Sequence, residues 1–395
     1  MNVEAISTIL FVVILTLILY FNKKKVIIQK IFFPFLYLVI LKTKLGLKFM
    51  DKAAKKCPKL LKILSNTAIG VGFLGMVFIS YTLITNVIKL ITVPEAASSM
   101  GMVLPIPVKG VFYVPFFYWI ISIFILATIH EFSHGVIARL YKIKVKSSGF
   151  GFFSILLPAI PLAFVEPDEK QLAKAKIHKK LAVFAAGPFS NIALGFILLL
   201  ISAFVLSPFA VNHIYDYNGV LVDNLVLEGN ETMPAELAGI EIGEKIIEMD
   251  GTEIVYISDF SEVLNAHSPG DIISVFTNES SYNVTLTETP GNSEHAYIGI
   301  FAGQSKEIKE SFHNQFGIFV SPIIWIIGLI YWLYLLNLGI GLFNLVPLGP
   351  VDGGLMVHAV LLDKCKTKKS ADMIFKIITT FFLFLVGISI VSSFF

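Results

Sequence analysis

Charged residues are scarce in this sequence, and cysteines are scarcer still. Asp, Glu, Lys and Arg together make up 15% of its 395 residues, whereas hydrophobic residues make up 55% and the mean hydropathy is +0.78. The two cysteines, Cys57 and Cys365, lie far apart in lysine-rich stretches, so no disulfide framework is expected. Several apolar runs exceed the roughly 18 residues that indicate a transmembrane helix. The composition therefore excludes a soluble globular protein and predicts a polytopic membrane protein.

The apolar runs predict about six transmembrane helices. They cover residues 5–21, 67–91, 110–141, 181–206, 317–343 and 373–391. Lysine clusters lie only in every second loop between these runs. Because basic loops stay in the cytosol, this pattern places those loops inside and both termini outside. The first run has neither a basic leader nor a small-residue cleavage pattern, so we expect a retained anchor rather than a signal peptide.

A short apolar stretch and a basic stretch follow the first run. Residues 27–41 lie between two basic flanks and carry Lys30 and Pro34, so we expect them to lie in the membrane interface or to re-enter the membrane. Residues 42–62 are rich in lysine. Next to a membrane helix such a stretch typically faces anionic lipids, and we expect no nucleic-acid partner.

The strongest chemical motif is H-E-F-S-H, which runs from His130 to His134 with Glu131 as its second residue. On a helix, this spacing places two imidazoles one turn apart on one face. Two histidine nitrogens suit a tetrahedral zinc, and the glutamate then lies beside the open position of the metal. A buried structural histidine pair is the alternative. Because residues 117–129 carry no charge and polar groups are costly in lipid, the setting favours a functional site.

A zinc site needs a third protein ligand, and the last part of the chain offers one. Asp352 lies in a stretch broken by Pro and Gly within an otherwise apolar segment, where an aspartate needs a cation or a hydrogen-bond donor. Asn344 lies eight residues earlier and offers an amide toward the same interior. The sequence thus predicts a metal site shared by two distant segments.

An unusual apolar loop follows the histidine motif. Residues 147–165 contain Pro158 and Pro161, which break a helix, and lysines lie on both sides of them. We expect an extended or re-entrant hairpin packed against the helix bundle, with a pair of short helices as the alternative.

The composition changes sharply between residues 208 and 313. Acidic residues outnumber lysines there and the apolar runs shorten, which predicts a soluble domain outside the cytosol. Pro234 and Gly239 bracket a short capped helix. Asp250 and Gly251 predict a hairpin turn.

Taken in order, the segments HEFSHG, GPFSN and NLVPLGPVDGG, with the soluble insert between the last two, resemble the site-2 protease family of intramembrane zinc metalloproteases. Within the insert, GVLVDNLVLEGNETMPAELAGIEIGEKIIEMDGTEI resembles the PDZ domains of bacterial-type proteases. The resemblance implies a polytopic α-helical membrane protein with about six transmembrane helices and an inserted extracytosolic α+β PDZ domain.

The same resemblance assigns roles to individual residues. The implied ligands of one Zn²⁺ are His130, His134 and Asp352. Glu131 is then the general base. Asn344 is implied as a catalytic and substrate-binding residue that holds the substrate backbone or the developing oxyanion. Asn191, the last residue of GPFSN, is predicted to bind substrate.

The implied activity is hydrolysis of peptide bonds within or near the transmembrane segment of membrane-anchored proteins. In regulated intramembrane proteolysis this cut follows an earlier cut by another protease. The expected partners are transmembrane protein substrates and the lipid bilayer. Two alternatives stay open, namely a soluble-type zincin held by a membrane anchor and a non-catalytic PDZ membrane scaffold.

The chain is predicted to divide into four segments. Residues 1–66 form an anchor helix and a basic interfacial segment, and residues 67–208 form the first part of a membrane protease core. Residues 209–313 form the PDZ domain, and residues 314–395 complete the core. We expect a prokaryotic plasma membrane, with the PDZ domain outside and the active site toward the cytosol.

Overall fold

The computed structural model describes residues 3–21, 26–32, 36–93, 101–106, 108, 111–155, 157–226, 233–289 and 292–394. The chain forms two compact units. The first, here called the membrane unit, consists of Met1–Ser202 and Trp325–Phe395. The second, here called the inserted unit, is Ala203–Ile324.

The helices, in chain order, are α1 (Val3–Phe21), α2 (Leu47–Lys56), α3 (Pro58–Thr92), α4 (Phe116–Leu140), α5 (Glu169–Lys174), α6 (Ile177–Ile201), α7 (Ser207–Phe209), α8 (Pro234–Ala238), α9 (Ile257–Asn265), α10 (Glu310–Phe316), α11 (Val320–Phe343), α12 (Asp352–Lys364) and α13 (Lys368–Ser392). Two π-helical segments, Ser202–Leu206 and Ala210–Ile214, flank α7. A 3₁₀ turn, Gly317–Phe319, precedes α11.

The strands, in chain order, are β1 (Val26–Phe32), β2 (Leu36–Thr43), β3 (Met102–Leu104), β4 (Val111–Tyr113), β5 (Val145–Ile155), β6 (Leu157–Pro167), β7 (Tyr215–Leu225), β8 (Lys245–Met249), β9 (Thr252–Glu253), β10 (Ile272–Thr277), β11 (Ser281–Thr285), β12 (Thr287–Thr289), β13 (Asn292–Tyr297) and β14 (Ile300–Ile308). Strands β1, β2, β5 and β6 form one antiparallel sheet in that order.

Within the described residues, five helical stretches are long and apolar enough to cross a membrane. They are Pro58–Thr92, Phe116–Leu140, Ile177–Ile214, Glu310–Phe343 and Lys368–Ser392. They correspond to five of the six predicted spans, and the protein is a multi-pass membrane protein. The apolar part of α1, Thr8–Phe21, is shorter, so the predicted first span stays a prediction.

The four-stranded sheet accounts for both apolar loops of the sequence. The described residues of the predicted hairpin over 147–165 belong to the β5–β6 pair, and those of 27–41 belong to the β1–β2 pair. Strands replace the alternative pair of helices because proline removes helical hydrogen bonds. Gly149 has a further role, because a Cβ there would collide with the carbonyl oxygen of Leu41 on β2. The missing side chain lets the two hairpins join into one sheet.

The helices of the membrane unit pack through small residues. Gly72 on α3 faces Met356 on α12, where an added Cβ would lie 2.9 Å from the methionine methyl carbon. Gly195 on α6 likewise faces Leu338 on α11. Close approach of this kind is the usual way in which membrane helices gain packing contacts. Helix α6 also packs against both α4 and α12, so three helices from distant parts of the chain meet at α6.

The centre of the inserted unit is a sheet that packs with two short helices, α8 and α9, while α7 and α10 lie nearer to the two ends of the unit in sequence. Its strand order is β11-β10-β8-β7-β14, with β9 paired to β8. The predicted capped helix is α8, which ends at Gly239 in the left-handed region with φ 87°. The predicted hairpin turn is also confirmed, since Asp250 and Gly251 have φ of 47° and 76° between β8 and β9. Val220, Ile246 and Ile273 lie in its fully buried core.

Candidate metal centre

The structure brings the three predicted metal ligands together. His130 and His134 lie one turn apart on α4, and Asp352 is the first residue of α12. The distance from His130 Nε2 to Asp352 Oδ2 is 3.0 Å, and from His134 Nε2 to Asp352 Oδ1 it is 3.4 Å. One donor atom from each residue lies within 4.8 Å of the other two. Both histidines and the aspartate are largely withdrawn from solvent.

A glycine pair brings Asp352 to this position. A Cβ at Gly353 would collide with the carbonyl oxygen of Leu345, and a Cβ at Gly354 would collide with that of Leu348. The N–H of Gly353 donates to the carbonyl of Asn344 at 2.8 Å. Only glycine allows α12 to start this close to the turn that follows α11, and this start fixes the aspartate opposite α4.

The ring of His134 is oriented by α6. Its Nδ1 lies 2.6 Å from the carbonyl oxygen of Val183. Because a carbonyl only accepts hydrogen bonds, Nδ1 carries the proton and donates it. In the neutral ring Nε2 is then unprotonated and can bind a metal, as in other sites where a second hydrogen bond sets the tautomer of a ligand histidine.

The ring of His130 is oriented by Asn191, also on α6. The side-chain amide of Asn191 lies 3.2 Å from His130 Nδ1. Asn191 is fully buried, and its Oδ1 has no hydrogen-bond partner in the described part of the chain. With Oδ1 rather than Nδ2 toward the ring, the amide accepts the Nδ1 proton and leaves Nε2 free for a metal. In this orientation the amide oxygen accepts the hydrogen bond from the Nδ1–H of His130.

The position of Asn191 indicates a second role beside the predicted substrate contact. Its side chain is fully buried behind the His130 ring. In the structure its side chain contacts the ring of His130, and its predicted role at the substrate stays a prediction. The sequence signal, an asparagine one turn after Gly187-Pro188, could not distinguish the two roles.

Gly187 leaves the space that a metal needs. A Cβ at Gly187 would lie 2.6 Å from His130 Nε2 and closer still to His134 Nε2. Zinc–nitrogen bonds are about 2.0–2.1 Å long, so an ion between these two nitrogens needs this volume free of carbon. In the sequence, Gly187 appears only as the first residue of the segment GPFSN. The donor set and the free space together fit one zinc with three protein ligands.

The side chain of Glu131 extends from α4 toward the sheet. Its Oε2 accepts a hydrogen bond of 2.8 Å from the backbone N–H of Val165 on β6. Since β6 is an edge strand and this N–H donates to Glu131 rather than to β5, it points away from the sheet. The glutamate also lines a cavity of about 110 Å³, together with residues of α4, β5 and β6.

Two further polar residues of the membrane unit, Asn344 and His358, lie outside the cluster of metal ligands. Asn344 lies in the turn after α11, and in the described part of the chain its side chain has no hydrogen bond to the metal ligands. Its predicted role at the substrate stays a prediction. The Nε2 of His358 lies 2.8 Å from Asp372 Oδ1, and its ring stacks on Phe375 with 4.5 Å between the ring centroids.

Membrane-spanning helices that bury a His–His–Asp cluster beside a glutamate define the class of membrane metalloproteases. The family model of peptidase family M50 matches residues 118–386. The match covers well over half of the chain, and the protein belongs to this family. The predicted recognition of a site-2 protease is confirmed at the level of the family, and the family implies a zinc cofactor.

The chain also resembles individual proteins. It is 30% identical over 333 residues to an uncharacterized protein of Methanocaldococcus jannaschii, across 80% of this chain and 75% of that protein. It is 22% identical over 231 residues to the zinc metalloprotease RasP of Shouchella clausii, across 48% of this chain and 52% of that protein. The chain thus spans about half of the length of RasP.

Among solved structures, the chain matches the PDZ domain of an SdrC-like protein from Listeria monocytogenes. The sequence identity is 22%, the match covers 22% of this chain and 88% of that domain, and the TM-score is 0.19. A score this low is not an argument for a shared fold. The assignment of the inserted unit therefore depends on its own strands and helices.

Proposed function

We propose that this protein is an intramembrane zinc endopeptidase that hydrolyses peptide bonds within or near the transmembrane segments of membrane-anchored proteins. The observation that carries the proposal is the buried cluster of His130, His134 and Asp352 on helices of the membrane unit, with Glu131 on the same helix. Such a cluster inside an apolar helix bundle serves a substrate that itself lies in the membrane.

His130, His134 and Asp352 would hold the zinc, which when bound acts as a Lewis acid on the scissile carbonyl and activates a water for attack. Glu131 accepts the proton of the attacking water and delivers it to the leaving nitrogen. The carbonyl of Val183 and the amide of Asn191 hold the two imidazoles in the tautomers that the metal requires. The buried setting keeps bulk water away from the reacting groups.

The outer edge of β6 is the proposed binding site for an unwound substrate. The N–H of Val165 points away from β5, and since backbone direction alternates along a strand, the N–H and C=O of Ala163 point the same way. A transmembrane helix hides its peptide bonds in its own hydrogen-bond ladder, so cleavage requires local unwinding. The freed backbone groups can pair with this edge by strand addition, next to Glu131.

The inserted unit is proposed to be a PDZ domain outside the cytosol. Its support is the antiparallel sheet with two helices, in which α8 ends at the left-handed Gly239, together with the sequence resemblance. Substrates already shortened by another protease would be admitted, as regulated intramembrane proteolysis requires. The active site would face the cytosolic side of a prokaryotic plasma membrane.

The experiment that tests the proposal combines metal content with cleavage. The full chain is purified in detergent, its zinc is counted, and a single-pass helical test protein is offered as substrate. We expect about one zinc per chain and a cut within the membrane segment. Glu131→Gln should keep the zinc and lose on the order of 10²–10⁴-fold in rate. The matched control is Glu169→Gln, which alters an exposed glutamate on α5 and should leave the rate unchanged.

Retained turnover in Glu131→Gln would refute the proposed role of this residue. Asp352→Ala distinguishes the remaining alternatives. If this variant keeps both zinc and activity, the third ligand lies elsewhere, and the anchored soluble-type zincin becomes the better hypothesis. Wild-type protein that binds no zinc and cuts nothing would favour the scaffold.

A further inference from the structure

Helix α2 has a basic, partly apolar face that no part of the described chain covers. Leu45, just before α2, is 69% exposed, and Phe49, in its first turn, is 70% exposed. The exposed lysines of α2 are Lys48, Lys52, Lys55 and Lys56. None of these four forms an ion pair with another described residue, and the one acidic residue, Asp51, lies 3.2 Å from Arg139 on α4. The face is therefore both positively charged and apolar.

The position of α2 in the chain puts this face at the surface of the membrane. Only Cys57 separates α2 from α3, a candidate membrane span of 35 residues. A helix of this length extends about 52 Å, whereas the hydrocarbon core is about 30 Å thick. The first turns of α3, which carry exposed Lys59 and Lys62, therefore project into the headgroup region, and α2 is joined directly to them. Exposed aromatic and leucine side chains beside lysines are typical of helices that lie in that region.

The opposite face of α2 packs on the catalytic helix. Met50 is only 3% exposed, and a Cβ at Gly135, the residue after the ligand His134, would lie 2.5 Å from its sulfur. The segment before α2 is fixed to the sheet, since Ser148 Oγ donates to the carbonyl of Leu45. Leu45, Gly46 and Met50 consequently form one wall of the cavity that Glu131 lines.

We propose that α2 binds the anionic headgroups of the bilayer and that this contact holds the wall of the catalytic cavity in place, so that cleavage depends on the charge of the membrane. The inference rests on the proposed proteolytic function. It adds a partner, anionic phospholipid, and a physical route from that partner to the site. Anionic lipids attract each lysine near a membrane surface, and the four lysines of α2 act together on one short helix.

The test compares two membranes and two readouts. The full chain is reconstituted in phosphatidylcholine alone and in phosphatidylcholine with about one third phosphatidylglycerol. Cleavage of the helical test protein is measured in vesicles, and amide hydrogen exchange of residues 44–57 is measured in nanodiscs of the same lipids. We expect cleavage at least about threefold faster, and slower exchange, in the anionic membrane. High salt should remove both differences, because it screens charges at the surface.

A matched pair of variants isolates the role of α2. The test variant replaces its four exposed lysines, Lys48, Lys52, Lys55 and Lys56, by glutamine. The control variant makes the same change at four exposed lysines around the start of α13, namely Lys364, Lys366, Lys368 and Lys369. The test variant should lose the dependence on phosphatidylglycerol in both readouts, and the control variant should keep it.

Equal rates and equal exchange in both membranes would overturn the inference and leave the proposed function intact. A control variant that loses the lipid dependence as fully as the test variant would also overturn it, since α2 would then not be the responsive element. If the wild type cuts the test protein in neither membrane, the proposed function fails. The coupling to catalysis fails with it, and the exchange measurement decides the lipid contact by itself.

Discussion

The side-chain amide of Asn191 lies 3.2 Å from Nδ1 of His130, on the side of the imidazole away from Asp352. This contact connects α6 to the candidate metal centre on α4. Its chemistry requires the amide oxygen to face the ring, since a metal on Nε2 leaves the proton on Nδ1. The pair thus explains why an asparagine is fully buried within an apolar helix.

Replacement of Asn191 should weaken zinc binding. We expect Asn191→Leu to lower zinc affinity by about 10–100-fold, the usual loss when the partner of a ligand histidine is removed. Asn191→Asp should restore most of the affinity, because a carboxylate accepts the same proton. Competition titration against a chelator measures both. Equal affinity in Asn191→Leu and wild type would show that the contact does not hold His130.

Addition of one methyl group at Gly187 should prevent metal binding. Its carbon would occupy the space between His130 Nε2 and His134 Nε2. We therefore expect Gly187→Ala to be purified without zinc and without activity. Gly339→Ala, at a membrane-helix glycine with no neighbour within 4 Å of the added carbon, is the matched control. The interpretation fails if Gly187→Ala retains its zinc.

The hydrogen bond between Glu131 and the backbone of Val165 should matter for turnover but not for the metal. Val165→Pro removes the N–H, and an outward-facing position on an edge strand tolerates proline. We expect a rate about tenfold lower, within the range that a positioned general base contributes, with zinc unchanged. Val165→Ala keeps the N–H and should keep the rate. Equal losses in both variants would point to side-chain packing instead.

The inserted unit should lose stability in acid through Glu244. Burial alone would raise the pKa of this carboxyl, but hydrogen bonds from Thr277, from the backbone of Glu241 and from Tyr282 hold the pKa below its ordinary value. A group with a lowered pKa in the folded state stabilises it above the ordinary pKa of 4.5, and this contribution is lost as the pH falls through that value and below.

Glu244→Gln should destabilise the inserted unit near neutral pH by roughly 1.5–3 kcal/mol, the usual contribution of hydrogen bonds to a charged group. It should also flatten the dependence of stability on pH. Hydrogen exchange of β8 and β10 in the full chain, corrected for intrinsic exchange rates, measures both effects. Glu262→Gln changes an exposed glutamate in the same unit and should leave both unchanged. A wild-type acid transition preserved in Glu244→Gln would exclude this residue as its cause.

The sequence by itself determined the features that depend on local spacing and composition. The scarcity of charge and the length of the apolar runs determine a membrane protein, since lipid accepts few other segments. The four-residue spacing of His130 and His134 places both on one face of a helix whatever surrounds it. Pro234, Gly239 and the Asp250-Gly251 pair fix their turns through backbone preferences alone.

Only the tertiary structure decided which distant groups complete the site. The sequence offered Asp352 as the third ligand, but it lies 222 residues after His130, and only the packed helices show that the two side chains meet. The free space beside Gly187, the place of Asn191 behind a ligand and the wall that α2 supplies all arise from packing between helices far apart in the chain. A glycine or an asparagine in a helix gives the same local sequence signal whether it lies beside a metal ligand or only packs between helices. The neighbour that packs against it assigns the role.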